Sequence, residues 1–297
     1  MKSLVRRWLN GLTAYRSVFS RKYPPGHFYS PVPNLDCALK YRRDLDAQAP
    51  DAIGGVDLNT DSQLSVLVEL ARWCREFDFP EVAGVTSSQR YWRNNGFFPG
   101  GDGVVLFGLL RMLKSKAVIE VGSGFSSALM LDMRDAGLIP GASLSFIDPD
   151  CARLRSLLRD RDGESVSILE KRVQDVRDAE MPALSAGDIF FIDSSHVASV
   201  GSDLCHIVFE MLPKVPVGCL VHVHDVAWPF EYPAEWFKEG RAWNEAYLLR
   251  AFLQYNDSFE VYFWGSMLKS LYPNEVEAAL PLLGKSAGSS IWLRRVK

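Results

Sequence analysis

The apolar positions of the chain follow two rhythms. Between residues 62 and 79, Leu64, Leu67, Val68 and Ala71 keep the i, i+3, i+4, i+7 spacing of one helix face. From about residue 100, short apolar runs alternate with helix-period segments. VVLFGLLRMLK (104–114) predicts a helix, AVIEV (117–121) a buried strand, and SSALMLDMRDAG (126–137) a helix closed by glycine. The order continues with strand SLSFID (143–148), helix CARLRSLLRD (151–160) and strands SVSILE (165–170) and DIFFID (188–193). Helix SVGSDLCHIVFEML (199–212), strand GCLVHVHD (218–225), helix NEAYLLRAFLQYN (244–256) and late strands FEVYFW (259–264) and SSIWLRR (289–295) complete it. Strand and helix in turn at this spacing specify an α/β protein. The expected architecture is a Rossmann-like, doubly wound, mostly parallel sheet with helices on both faces.

Ahead of that pattern lies a helical and extended N-terminal extension, 1–96, set against a main domain, 97–297. Residues 23–36, YPPGHFYSPVPNLD, hold four prolines and a glycine, which excludes regular helix or central strand. Tyr23, Phe28 and Tyr29 offer this segment surface to bury, so it is expected to be ordered and extended.

Charge sharpens the division. The 297 residues carry a net charge of −3, which gives no reason to expect a nucleic-acid partner. Yet nine of the 33 basic residues, and only one of the 36 acids, fall within residues 1–43. The first 23 residues read as a short basic helix, packed or solvated, with a weak membrane-surface contact as the other reading. Arg6, Arg7, Asn10 and Arg16 break any signal-peptide core. Five scattered cysteines without C-x-x-C spacing point to reduced thiols and a cytoplasmic location.

Ligands of doubly wound sheets bind beyond the carboxyl ends of the strands, where strand order reverses. Those ends are polar here: Glu120 with Gly122-Ser123-Gly124, then Asp148, then Asp193 to His196, then His222, His224 and Asp225, with Asp175 a few residues past the third strand. Gly122 and Gly124 remove Cβ atoms from the path of a ligand. Ser127 stands where the dinucleotide fingerprint needs its last small residue, so that fingerprint is broken. Asp148, 24 residues past Gly124, can accept from ribose hydroxyls. Glu120 beside the turn suits a cofactor with a cationic tail, and S-adenosylmethionine carries a sulfonium and an ammonium.

IEVGSGFSSALMLD, FIDPD, GDIFFIDSSH and LVHVHDV, in this order, resemble class I S-adenosylmethionine-dependent methyltransferases. More narrowly they resemble the family 24 group, related to macrocin-type and catechol-type O-methyltransferases, over roughly residues 97–297. The resemblance implies methyl transfer from S-adenosylmethionine to a small-molecule acceptor, at a hydroxyl. Glu120, Gly122, Ser123 and Gly124 would form the cofactor turn, Asp148 would hold the ribose, and Asp175 would face the adenine amino group. The resemblance also implies a divalent metal, Mg²⁺, at Asp193 and Asp225.

A hydroxyl nucleophile must be held in near-attack geometry and relieved of its proton. Histidine titrates near neutrality, so His196 and His224, with Asp193, are the catalytic candidates. Asp102 in FFPGGDG is a further cofactor-side candidate. The loop before it would close as a lid on hinges at Gly100, Gly101 and Gly103, or Asp102 would cap the helix that follows. Phe97, Phe98, Trp228, Phe230, Tyr232 and Trp236 are candidate acceptor-pocket residues. Two other readings stand beside this one: an NAD(P)-dependent oxidoreductase, and a non-catalytic cofactor-binding or scaffold protein.

Overall fold

The computed structural model describes residues 22–84, 89–160, 162 and 166–297. The basic helix expected in the first 23 residues lies outside them over residues 1–21. The described residues up to Ala49 form one compact unit with Tyr232–Ala242, and Pro50–Glu231 forms a second with Trp243–Lys297. By contacts the sheet-bearing unit thus begins at Pro50 rather than at residue 97.

That unit is built on seven strands: β1 (Ala117–Val121), β2 (Ser143–Ile147), β3 (Ser167–Leu169), β4 (Ile189–Ile192), β5 (Leu220–Val223), β6 (Phe259–Trp264) and β7 (Ile291–Arg295). They lie in the order β3-β2-β1-β4-β5-β7-β6. The first five pair in parallel, and β7 runs antiparallel between β5 and β6. Order reverses between β1 and β4, so the Rossmann-like expectation holds and the crevice it predicts opens there.

The described helices are α1 (Leu35–Ala47), α2 (Thr60–Trp73), α3 (Gly100–Leu113), α4 (Phe125–Asp135), α5 (Ala152–Leu157), α6 (Asp203–His206), α7 (Ala234–Lys238), α8 (Glu245–Leu253), α9 (Gly265–Leu271), α10 (Pro273–Ala279) and α11 (Pro281–Lys285). α3 starts four residues ahead of its apolar run and is buried from Gly100 to Leu110. Its glycines permit contact and do not act as hinges. A Cβ on Gly101 would fall 1.6 Å from the Ser286 carbonyl oxygen, and one on Gly108 would fall 2.6 Å from Leu70 and Cys74. Through Gly108, α2 packs directly on α3, which is why residues 60–76 belong with the sheet. The helix expected over 199–212 is irregular: one α turn capped by Ser202, a wider π turn at Ile207–Met211, and a tight turn ending at Lys214.

In the smaller unit, α1 begins at Asn34, whose side chain accepts from Cys37 N, and packs against α7. The proline segment before it does not bury its aromatics as expected. Phe28 is 81% and Tyr29 64% exposed; turns bring Tyr23, His27, Phe28 and Tyr29 onto one another instead. Among the described residues no helix is long and apolar enough to cross a membrane.

Candidate active site

Strand register brings the polar ends together. Val121 pairs with Ile147 on one side and Ile192 on the other, and Ile192 pairs with Val223. One residue further along each strand come Gly122, Asp148, Asp193 and His224, in a row across the carboxyl edge.

At the first step of this row the backbone turns sharply. Gly122 has φ +82°, and a Cβ there would lie 2.0 Å from the Asp193 carbonyl oxygen, so only glycine fits. The next two residues are fixed by side chains. Ser123 donates to Asp148 Oδ2 through both its N–H and its hydroxyl, each at 2.9 Å. Gly124 N–H donates to Ser127 Oγ at 3.0 Å. Glu120 lies beneath the turn, fully buried, and accepts the hydroxyls of Ser126 and, at 2.6 Å, Ser127. Burial, with Asp193 and Asp148 nearby, pushes its carboxyl up to about 8, against those two hydrogen bonds. The reading of Glu120 as an anion facing the cofactor is therefore corrected: its side chain supports the turn from below and is mostly neutral at pH 7.

Beside the turn lies a cleft of about 440 Å³, lined by Gly122, Asp148, Arg172, Gln174, Asp193 and Ser194 among others. Asp148 reaches it with acceptor capacity left. Ser123 occupies Oδ2, and Asp150 N–H reaches Oδ1 at 2.8 Å, while a carboxylate has about four lone-pair sites. Gln174 donates from Nε2 to the Gly201 carbonyl at 2.8 Å, which fixes its amide and leaves Oε1 buried without a partner. Asp175 does not line this cleft. It is exposed, and both its oxygens pair with Arg172, at 2.8 and 2.9 Å. That pair holds its carboxyl below the usual range. Gln174, one residue earlier, lines the cleft instead.

At the β4 end, His196 adopts φ +60°, a left-handed conformation uncommon for a side-chain-bearing residue. Its carbonyl accepts from Asn244 and Glu245 N–H at 3.1 and 3.3 Å, and its ring lies against Trp243, with centroids 4.2 Å apart. Nδ1 sits 2.6 Å from Glu245 Oε2, while Nε2 stands 3.5 Å from Asp193 Oδ1 and 3.8 Å from Asp225 Oδ2. Burial alone would lower this imidazole, but Asp193 and Glu245 outweigh it and raise it to about 10. Asp193 keeps 37% of its side chain exposed on the cleft. Its enclosure would raise its carboxyl; His224, then His196 and Arg153, outweigh that and hold it below the usual range.

At the β5 end, one hydroxyl organises three side chains. Ser290 Oγ donates to Asp102 Oδ1 at 2.5 Å, so it accepts from His222 Nε2 at 2.8 Å and His224 Nδ1 at 3.2 Å. His224 Nε2 faces the Phe97 carbonyl at 3.2 Å. With acceptors at both nitrogens, His224 is a donor on each side. Burial would lower it, but Asp225, Asp193 and Asp102 raise it to about 9. Both of its nitrogens are engaged inside the protein, at Ser290 and at the Phe97 carbonyl, and neither is turned to the cleft. The cofactor-side reading of Asp102 is corrected. It is buried, accepts Ser289 and Ser290 N–H at 3.1 Å, and ties the start of α3 to the chain entering β7. It neither faces the cleft nor caps α3.

Asp193 and Asp225, the expected metal ligands, stand at the same pair of histidines. Among the described residues no three His, Cys, Asp or Glu side chains are placed to hold an ion. The two carboxylates face histidine nitrogens instead, and Asp225 Oδ1 also accepts the Ser289 hydroxyl at 2.7 Å. Of the aromatic candidates, Phe98, Trp228 and Phe230 are core, and Tyr232 and Trp236 belong to the smaller unit. The sequence reading missed Gln174, Glu245 and Ser290. Glu245 carried a signal: it shares a helix face with Leu249 and Leu253, so a charge stood on an apolar stripe.

Residues 119–226 match the family 24 methyltransferase domain. A protein of Archaeoglobus fulgidus described only as uncharacterized is 30% identical over 158 residues, which is 52% of this chain and 70% of that protein. The O-methyltransferase TomG of Streptomyces achromogenes, solved with SAM, is 15% identical, with 89% and 99% of the two chains covered and a TM-score of 0.41. SAH-bound PaMTH1 of Podospora anserina is 16% identical over 87% and 96%, with a TM-score of 0.42. Likeness of that degree to solved structures says nothing about what this chain binds. The domain match agrees with the strand order and the glycine turn: the chain belongs to the class I S-adenosylmethionine-dependent methyltransferases of the family 24 type.

Proposed function

We propose that this enzyme moves a methyl group from S-adenosylmethionine to a hydroxyl of a small-molecule acceptor. The observation that carries the reading is the cleft at the β1–β4 reversal, lined by the bare backbone of Gly122, by Asp148 with spare acceptor capacity and by Gln174, whose Oε1 has no partner. Asp148 would hold ribose hydroxyls. Gln174 Oε1 would accept from an exocyclic amino group, relieving a buried oxygen of a cost of roughly 1–3 kcal/mol. When bound, the cofactor supplies an electrophilic methyl group, whose bond to sulfur breaks as the bond to the acceptor oxygen forms, leaving a neutral thioether.

The chain's own work is to place the hydroxyl and take its proton. Asp193 is the carboxylate at the β4 end of the cleft, beside His196, and the proton goes to its free oxygen. A weak base suffices, because a hydroxyl oxygen gaining a methyl group becomes strongly acidic. His196 is protonated at neutral pH, so its part is to hold Asp193 from behind, with Glu245 fixing the ring. Calorimetry should find binding of S-adenosylmethionine and S-adenosylhomocysteine and none of NAD⁺. Asp193→Asn should keep S-adenosylhomocysteine affinity while losing about 10²–10⁴-fold in methyl transfer to a panel of phenols, catechols and sugars. Binding of NAD⁺ in place of the sulfonium nucleoside would sink the reading, and full activity in the variant would remove Asp193 from its role.

A further inference from the structure

Arg153 stands apart from the arginines around it. Arg155, Arg159, Arg172 and Arg177 each hold a carboxylate at 2.5 to 3.0 Å. Among the described residues Arg153 holds none, although it is exposed on the second residue of α5. Its guanidinium carbon sits over the Phe97 ring, 3.8 Å from the centroid. That ring is itself placed from two sides: it stacks on Phe125 at 16° and 5.9 Å, and the Phe97 carbonyl accepts from His224. Stacking uses the face of a guanidinium and leaves its edge donors free.

The side chain also crosses the glycine turn. A Cβ on Gly124 would lie 3.0 Å from Arg153 Cδ and 3.7 Å from Nη1. A cation is thus held at the mouth of the turn, near enough to Asp193 to act on its carboxyl. A planar fork of donors held beside the glycine turn matches a carboxylate, the group that ends an amino-acid tail.

We propose that Arg153 binds the carboxylate of the cofactor's amino-acid tail; this rests on the cofactor reading above. The test compares two ligands that differ only in that tail, S-adenosylhomocysteine and 5′-methylthioadenosine. Arg153→Met keeps the stem and removes the fork. By calorimetry the variant should lose roughly 10- to 100-fold in affinity for S-adenosylhomocysteine and keep its affinity for methylthioadenosine. In the wild type, added NaCl should weaken the first ligand more than the second. Unchanged affinity for S-adenosylhomocysteine in the variant overturns the proposal, as does equal weakening of both ligands. Unchanged cofactor affinity with a raised KM for an anionic acceptor overturns it too, and moves the carboxylate to the acceptor. If the wild type binds neither nucleoside, the cofactor reading itself has failed.

Discussion

The two halves of the carboxyl edge are built on opposite plans. At β1 and β2 the side chains serve the backbone: Glu120, Ser127, Ser123 and Asp148 all lie within 28 residues of one another and hold a bare turn in shape. At β4 and β5 the backbone serves the side chains. His196 is held in a left-handed conformation and Asp225 in another, and their partners come from 49 and 64 residues away. The first half is a local cradle for a ligand. The second is a polar network in which several buried charges must all be satisfied together. The difference predicts that substitutions in the cradle act on backbone shape and ligand binding, while those in the network act through unpaired charge.

The sharpest break of the cradle is Gly122→Ala. The new Cβ would meet the Asp193 carbonyl at 2.0 Å, at φ +82°. Left-handed strain of about 1 kcal/mol adds to an overpacking cost of about 1–3 kcal/mol. Denaturant unfolding should show a loss of about 2–4 kcal/mol, with S-adenosylmethionine binding lost as well. A variant of unchanged stability and affinity would mean that the β1 and β4 ends do not meet as described.

On the network side the next largest effect is expected at Asp102→Asn. Shape is kept, but charge-assisted hydrogen bonds from Ser289 and Ser290 become neutral ones. Charge-assisted bonds run about 1 kcal/mol stronger, and His224 loses a counter-charge, so a loss of about 1–2 kcal/mol is expected. Cofactor affinity should stay within about twofold, because Asp102 lies away from the cleft; a large fall in affinity with normal stability would return it to the cofactor side. By contrast, Asp148→Asn should weaken cofactor binding and cost less stability than Asp102→Asn, because the Asp148 bonds are only part-buried.

These contrasts track what the sequence made legible. The sheet was readable because each buried strand is a contiguous apolar run, and β1 and β6 fall where the pattern puts them. The cradle was readable because its residues are neighbours in sequence. Its chemistry was only half readable, since nothing in VIEVGSG says that Glu120 points under the turn rather than into the cleft. The network was mostly hidden. Glu245 reaches His196 across 49 residues, Ser290 reaches His222 and His224 across 68 and 66, and Asp102 reaches Ser290 across 188, and no periodicity reports such distances. Asp175 illustrates a further limit: in a short helical turn one residue decides whether a side chain lines the cleft, as Gln174 does, or pairs along the chain with Arg172, as Asp175 does.

pH offers a subtler test of the cradle. The Glu120 carboxyl is raised in the folded protein from 4.5 to about 8. In the unfolded chain it ionises first, so the folded state binds more protons across that interval. Stability from this group is complete below about pH 4.5, declines as pH rises, and levels off above about 8. Glu120→Gln is neutral in both states. The difference in Tm between wild type and variant should therefore change steadily between pH 5 and 8 and be flat beyond. A difference curve without slope would mean that Glu120 is ionised and faces solvent or ligand.

The smallest effect belongs at the position that looked functional in sequence and is not so placed in the fold. Asp175 is half exposed and pairs with an exposed Arg172 three residues away, and exposed pairs of that kind contribute about 0–1 kcal/mol. Asp175→Ala should shift stability by no more than about 0.5 kcal/mol and leave S-adenosylhomocysteine affinity within about twofold. Gln174→Ala should weaken that affinity several-fold, because its buried Oε1 is the acceptor on that wall of the cleft. If calorimetry found the reverse order, the turn at Val173–Asp175 would have to be rotated by one residue, and the cradle would extend to β3.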